Sequence, residues 1–320
     1  MKNTRGSALW HGNIAVLLAM GALLLLVLGA VAAPLYARAV GVDAMASNLA
    51  GTVMRNGHAQ DIMQANDNPL HLGLSPIGPS WRWGPYALGA DSQGRDIAAR
   101  LLYGARSSLV IAFSAACLCL IAATFCGLAA GYCGGWVDLI LSRALDILWA
   151  VPVYLFAISL SVVTIGHDLS FGPIHLRADS LLLPVLIIAL IYVPYAARPI
   201  RARTKSLQNA GFVLAARGLG ASSLRIILRE ILPLLAETVF VLAPLIMALC
   251  LLAESALSFL SLGVQAPAAS WGSLIHDGEG LIYSRPVVAI APGLAIIVTV
   301  LALNTLGDAA QTALRRRGGR

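Results

Sequence analysis

Ionisable and nucleophilic side chains are scarce in this chain, and their spacing excludes more chemistry than it offers. Only two lysines occur, Lys2 and Lys205, and neither follows a glycine. The Gly-x-x-x-x-Gly-Lys-Ser/Thr phosphate loop is therefore absent, and nucleotide hydrolysis by that route with it. There is no His-Glu-x-x-His pair to hold zinc and no Gly-x-Ser-x-Gly elbow to present a serine nucleophile. The six histidines, His11, His58, His71, His167, His175 and His276, all fall outside the apolar runs. Cys119, Cys126 and Cys133 recur every seven residues, with Cys117 close by. Two helical turns put successive members ~10 Å apart, too far for one metal ion, so small polarizable residues at a helix contact are expected. Cys250 is isolated, and no disulfide is expected. No catalytic, cofactor-binding or metal-ligating set emerges.

Glu254 is the one acid deep in an apolar run, within Ala253-Glu254-Ser255-Ala256. A carboxylate there is costly and needs an account. It either lines a route for solute or serves as a hydrogen-bond hub between helices. Asp146 lies three residues after Arg143, and an i, i+3 ion pair at the membrane edge accounts for it.

The elements that carry these residues follow from composition. The 320 residues are 58% hydrophobic and 12% charged, with a mean hydropathy of +0.81. That is the composition of a polytopic membrane protein. Six spans are predicted: Ile14–Ala33, Ser107–Cys133, Leu139–Ile165, Leu181–Ala197, Thr238–Val264 and Val287–Gly307. Each meets or approaches the ~20 apolar residues of a bilayer-crossing helix, the fourth being short. Helix is the default, since open strands cannot satisfy their backbone in lipid.

Basic residues set the orientation. With the N-terminus inside, fourteen of the 22 lysines and arginines are cytoplasmic and eight lie outside. Six of those eight fall in the long first loop, which weighs less in the positive-inside rule. Both termini are thus predicted to be cytoplasmic, and the net charge of +7 gives no reason to invoke nucleic acid. Lys2, Arg5 and Ala30-Val31-Ala32 also resemble a signal peptide. The apolar run is longer than a signal h-region, which favours a retained anchor.

The expected organisation is a cytoplasmic N-terminus at 1–13, a first span at 14–33, and an extracytoplasmic loop at 34–106. A five-helix core at 107–308 follows, containing a cytoplasmic loop at 198–237, then a basic tail at 309–320. Pro69, Pro76, Pro79 and Pro85 argue for a turn-rich excursion before Leu88. Trp81, Trp83 and Tyr86 form either an aromatic belt at headgroup level or the inside of a small folded cap. An amphipathic helix from Ser92 to Arg106 is predicted to lie at the outer interface.

The stretch from Asn209 to Pro233 is the most informative. It reads as two short helices joined by a tight turn. Asn209 caps the first, which runs through Arg217; Gly218-Leu219-Gly220 breaks it; Ser222 or Ser223 caps the second, which Pro233 limits. Leu224, Ile227, Leu228 and Ile231 share one face of that second helix, away from Arg225 and Arg229. A polar loop between spans rarely needs such a pair unless something docks on it.

Phe212 to Ser222, followed by Ile231-Leu232-Pro233, resembles the EAA loop of ABC importer permeases, in the branch for dipeptides, oligopeptides and nickel. Three further segments agree: Leu88 to Asp96 with Leu102 to Arg106, Gly134 to Asp138, and Leu257 to Val264. The resemblance runs from about Leu88 to Asp308. Two positions depart from the family pattern. Leu214 stands where Glu is usual, and Tyr86-Ala87 and Ala90 replace the usual His-Pro and Thr.

The resemblance implies an all-α integral membrane protein of six transmembrane helices with a cytoplasmic coupling helix pair, the type I permease fold. It implies that Leu214, Ala215, Ala216, Arg217, Gly220, Ala221, Ile231 and Pro233 dock a separate ATPase. The implied partners are a homologous second permease, two cytoplasmic ATPase subunits and an extracytoplasmic solute-binding protein, in membrane lipid. ATP is used by the partner subunits, and this chain binds no cofactor. A secondary transporter or channel is the alternative. Such proteins carry charged relays or inverted repeats; this chain has no convincing repeat, and Glu254 has no evident partner in sequence.

Overall fold

The computed structural model describes residues 4–55, 57–65, 73–150, 152, 154–156, 158–159, 169–171, 174–176 and 181–318. The long helices are α1 (Thr4–Val40), α2 (Ile97–Cys133), α4 (Leu182–Gln208), α6 (Ser223–Phe259) and α8 (Val287–Gly318). Shorter helices are α3 (Gly135–Ala150), α5 (Gly211–Gly218) and α7 (Trp271–Glu279). Among the described residues, five helices are long and apolar enough to cross a membrane. The expected third span corresponds to α3 as far as Ala150; most of its remainder lies outside the described residues.

Close packing of α2 on α4 makes the centre of the molecule. A Cβ added at Gly131 would lie 2.5 Å from Thr204 Cβ, and one at Gly127 would lie 2.8 Å from Ile200 Cγ2. Only glycine lets the two backbones approach so closely. Cys119 is buried in the same core, Cys126 is half-buried, and Cys117 and Cys133 are exposed. The cysteine repeat is therefore only partly a packing seam. In α1 few of the described side chains are buried and the helix leans on α2 and α8, as suits an apolar helix bordered by lipid.

Several boundaries run past their expected places, each for a local reason. The fourth span is not short, because α4 continues beyond Ala197 to Gln208 with Pro194 and Pro199 inside it. The interfacial helix predicted from Ser92 does not exist as a separate element. Asp96 caps α2, its carboxylate accepting from Ala99 N at 2.8 Å, and no breaker interrupts the helix between Arg106 and Ser107. Arg95 and Arg100, both within that predicted helix, are buried beside Asp91 and Asp277.

The excursion before α2 is a small cap. Hairpins β1 (Thr52–Arg55) with β2 (His58–Asp61) and β3 (Met63–Ala65) with β4 (Leu74–Pro76) enclose a separate cluster of Val53, Ile62, Ile77, Tyr86 and Ala90. The three aromatic residues divide between the two expectations. Tyr86 is inside, while Trp81 and Trp83 are exposed. Trp83 meets Tyr36 of α1 edge-on, ring centroids 5.5 Å apart, near the C-terminal end of that helix.

Candidate functional site

The α5–α6 junction is the segment that sequence singles out, and its geometry rests on three local devices. Val213 is fully buried and Ala216 packs against the core, so the i, i+3 pair pins one face of α5. The helix then closes with a Schellman turn. Ala221 N donates to Ala216 O at 3.1 Å and Gly220 N to Arg217 O at 3.0 Å, with Gly220 at φ +80°. Ser222 caps the next helix, its hydroxyl accepting from Arg225 N.

Two details differ from expectation. Asn209 does not cap α5; it ends α4 and its Nδ2 donates back to Lys205 O, while Ala210 occupies the cap position of α5. Pro233 does not end the second helix. A π turn spans Ile227–Ile231, and Leu232 N donates to Ile227 O. That one-residue widening precedes the proline, relieves the clash its ring makes with an α-register carbonyl, and lets α6 run on to Phe259. It also turns the segment before it by about 100° relative to the rest. The predicted apolar stripe is accordingly broken. Ile226 and Ile231 are buried, while Leu224 and Leu228 are exposed.

The proposed docking residues fall into two sets. Leu214, Ala215, Arg217, Gly220 and Pro233 are exposed, with Leu214 at 53%. Ala216, Ala221 and Ile231 face the core and hold the pair in place. Sequence reasoning missed Leu219, which at 89% exposure is the most open apolar side chain of the junction. A leucine between two glycines in a polar turn was the available signal.

Behind the junction, an ion cluster fixes α4. Asp138 at the start of α3 accepts from Arg201 Nε, from Arg201 Nη2 at 2.8 Å and from Lys205 Nζ at 2.6 Å. These cations hold its carboxyl well below the usual carboxylate range. Asp146 pairs with Arg143, as expected, at 4.0 Å, and more closely with Arg198 at 3.0 Å.

Glu254 is fully buried. Ser258 Oγ donates to its Oε1 at 2.8 Å and Ser255 Oγ lies 3.4 Å from Oε2. The Ser108 and Ser270 hydroxyls hydrogen-bond to it as well. Ser108 also accepts from Trp271 N, and Ser258 from Val264 N. One carboxylate thus joins α2, α6 and the cap of α7. The hydroxyl partners, spread over 163 residues, were invisible to a search for charged partners.

Residues 123–319 match the family described as "Binding-protein-dependent transport system inner membrane component". This chain belongs to that family. It is 36% identical over 250 residues to the dipeptide transport system permease protein DppC of Alkalihalophilus pseudofirmus, covering 78% of this chain and 76% of that one. It is 38% identical over 226 residues to the glutathione transport system permease protein GsiD of Shigella flexneri, covering 71% and 70%. A solved inward-facing form of the MetNI methionine ABC transporter matches with TM-score 0.52 over 67% of this chain and 95% of that one, at 16% identity, a likeness of fold alone. The chain is a multi-pass inner-membrane permease subunit of an ABC importer, a family that works with an ATPase and a binding protein.

Proposed function

We propose that this permease imports peptides, and that α5 with the turn through Gly220 is where its ATPase docks. The relatives named for dipeptide and glutathione transport support the solute class, and nothing in the residues favours nickel over it. The observation that carries the docking role is the exposed apolar group of Phe212, Leu214, Leu219 and Leu224 on a rigidly capped helix pair. Water-facing leucines on an otherwise polar junction mark an interaction surface.

In this reading the chain pairs with a homologous second permease over two ATPase subunits. ATP-driven closure of the ATPases pulls α5, α5 moves α4 and α6, and the paired permeases open outward to the binding protein. Leu214, Ala215, Arg217, Gly220 and Pro233 would touch the ATPase, while Ala216, Ala221 and Ile231 transmit the pull into the core. Both termini and the junction would be cytoplasmic, and a cysteine at Ser206 would react with an impermeant reagent only after permeabilisation, one at Ala59 without it.

Reconstituting the full complex in vesicles and measuring ATPase activity tests the solute. Dipeptide-loaded binding protein should stimulate turnover several-fold over the empty binding protein. Stimulation by nickel and not by peptides would overturn the solute assignment.

A further inference from the structure

A cavity of about 520 Å³ lies between α1 and the core, and its wall is apolar save for one residue. Val27 and Val31 of α1, Phe113 of α2, Met247 of α6 and Leu303 of α8 line it, with Arg106 of α2 as its only charge. Arg106 is exposed and has no hydrogen-bond or ion-pair partner among the described residues.

Depth makes this arginine unusual. A Cβ on Gly29 would lie 3.2 Å from Leu102 Cδ2, so Leu102 is level with Gly29. Gly29 is nine residues before Arg38, the first charged residue that α1 meets after its apolar run, or about 14 Å at the helical rise. Arg106 leaves α2 one turn deeper still, about 6 Å. Side chains lean toward the helix N-terminus, which for α2 is the outer side, so snorkelling recovers roughly that one turn. The guanidinium then sits on the order of 14 Å below Arg38, in a setting where an uncompensated cation is costly.

We propose that the cavity is a phospholipid site, with one acyl chain between α1 and the core and the lipid phosphate drawn down onto Arg106. The occupant follows from charge and surroundings. A guanidinium forks onto phosphate oxygens, and every other lining residue offers only hydrocarbon. Acyl tails gain little by exchanging one apolar contact for another inside a bilayer, so the phosphate pair and the shape of the slot supply the preference. The lipid fills the gap that the peripheral helix α1 leaves against α2, α6 and α8, and it seats that helix.

The test is native mass spectrometry of the full chain released from a mild detergent, titrated with phosphatidylglycerol. Wild type should retain one tightly held phospholipid. Arg106→Gln should lower its occupancy about tenfold, the loss of one charge-assisted pair, and Arg106→Lys should restore most of it. Val27→Trp, which fills the slot and leaves the charge, should also release the lipid. Inorganic phosphate should not compete, and displacement by it would mean a simple anion site and overturn the lipid assignment. Equal retention in wild type, Arg106→Gln and Val27→Trp would overturn it as well.

Discussion

Arg100 donates from Nη2 to Oδ2 of Asp277 at 2.9 Å, joining the N-terminal end of α2 to α7 across 177 residues of sequence. Arg95 reaches the same oxygen at 3.0 Å, and buried Asp91 faces both arginines. Together with Arg285, whose Nε donates to Pro76 O at 2.6 Å, this ties the cap to α7 and the turn that follows it. Removing Asp277 would leave two buried guanidiniums sharing one carboxylate. Asp277→Asn should cost about 2–4 kcal/mol, less than a fully buried pair because Asp277 is 26% exposed. A double-mutant cycle with Arg100→Met, read by thermal denaturation in detergent, should give a coupling well above zero. Additive losses would mean the contact does not hold the cap.

The turn at Gly220 offers a cleaner separation of folding from coupling. Nothing lies within 4 Å of a Cβ built there, so the obstacle to a side chain is φ +80° alone. Gly220→Val should insert normally and lose ATP-driven transport, while Gly220→Asn, which tolerates that region, should keep most of it. Transport assays on membranes with equal permease content decide the matter. Full transport by the valine variant would remove the docking role from this turn.

Leu214 stands where the family usually has Glu, so the ATPase surface opposite it should be apolar or neutral. Leu214→Asp should then weaken assembly by roughly 1–3 kcal/mol, seen as loss of the ATPase on co-purification. Leu214→Met should be silent. An aspartate variant that still co-purifies its ATPase fully would show that position 214 faces water in the complex.

Asp138 gives a pH signature. Its folded pKa is depressed, chiefly by Arg201 and then by Lys205, so the unfolded chain binds the extra proton as pH falls. The contribution is present above the unfolded value near 4 and is lost as pH drops through the folded one. Asp138→Asn should therefore melt a few degrees lower than wild type at pH 7, and the gap should narrow below about pH 4. A constant gap between pH 7 and pH 3 would contradict this account. Lys205 is half-exposed and should matter less than Arg201.

What could be read from sequence, and what could not, divides along local versus distant causes. The Gly220 turn and the Ser222 cap were legible because their hydrogen bonds close within six residues. The continuation of α6 through Pro233 was not, because a proline in an apolar helix reads as a stop unless a π turn precedes it, and a π turn has no sequence period of its own. The burial of Arg95 and Arg100 was not legible because their partners, Asp91 and Asp277, include one on α7, nearly two hundred residues away. Glu254 was legible as anomalous from its apolar neighbours alone, yet its role depends on hydroxyls from three elements that folding brings together.

Those hydroxyls decide what Glu254 should do when changed. A carboxylate on a solute route loses its charge without unfolding anything, whereas a hub leaves partners unpaired when shortened. Here the side chain has no exposed surface, and a Cβ added to Gly272 at the start of α7 would lie 2.2 Å from Ser255 O, so the surroundings are too tight to be a passage. Glu254→Gln keeps the volume, and serine hydroxyls can rotate to satisfy its amide. It should be nearly silent in expression and transport. Glu254→Ala strips the acceptor from Ser108, Ser258 and Ser270 at once and leaves a void, so the folded complex should fall sharply, by roughly 2–4 kcal/mol of stability. Size-exclusion yield and transport measured on both variants separate the two roles. Normal yield of both with altered solute preference in both would instead put Glu254 on the route.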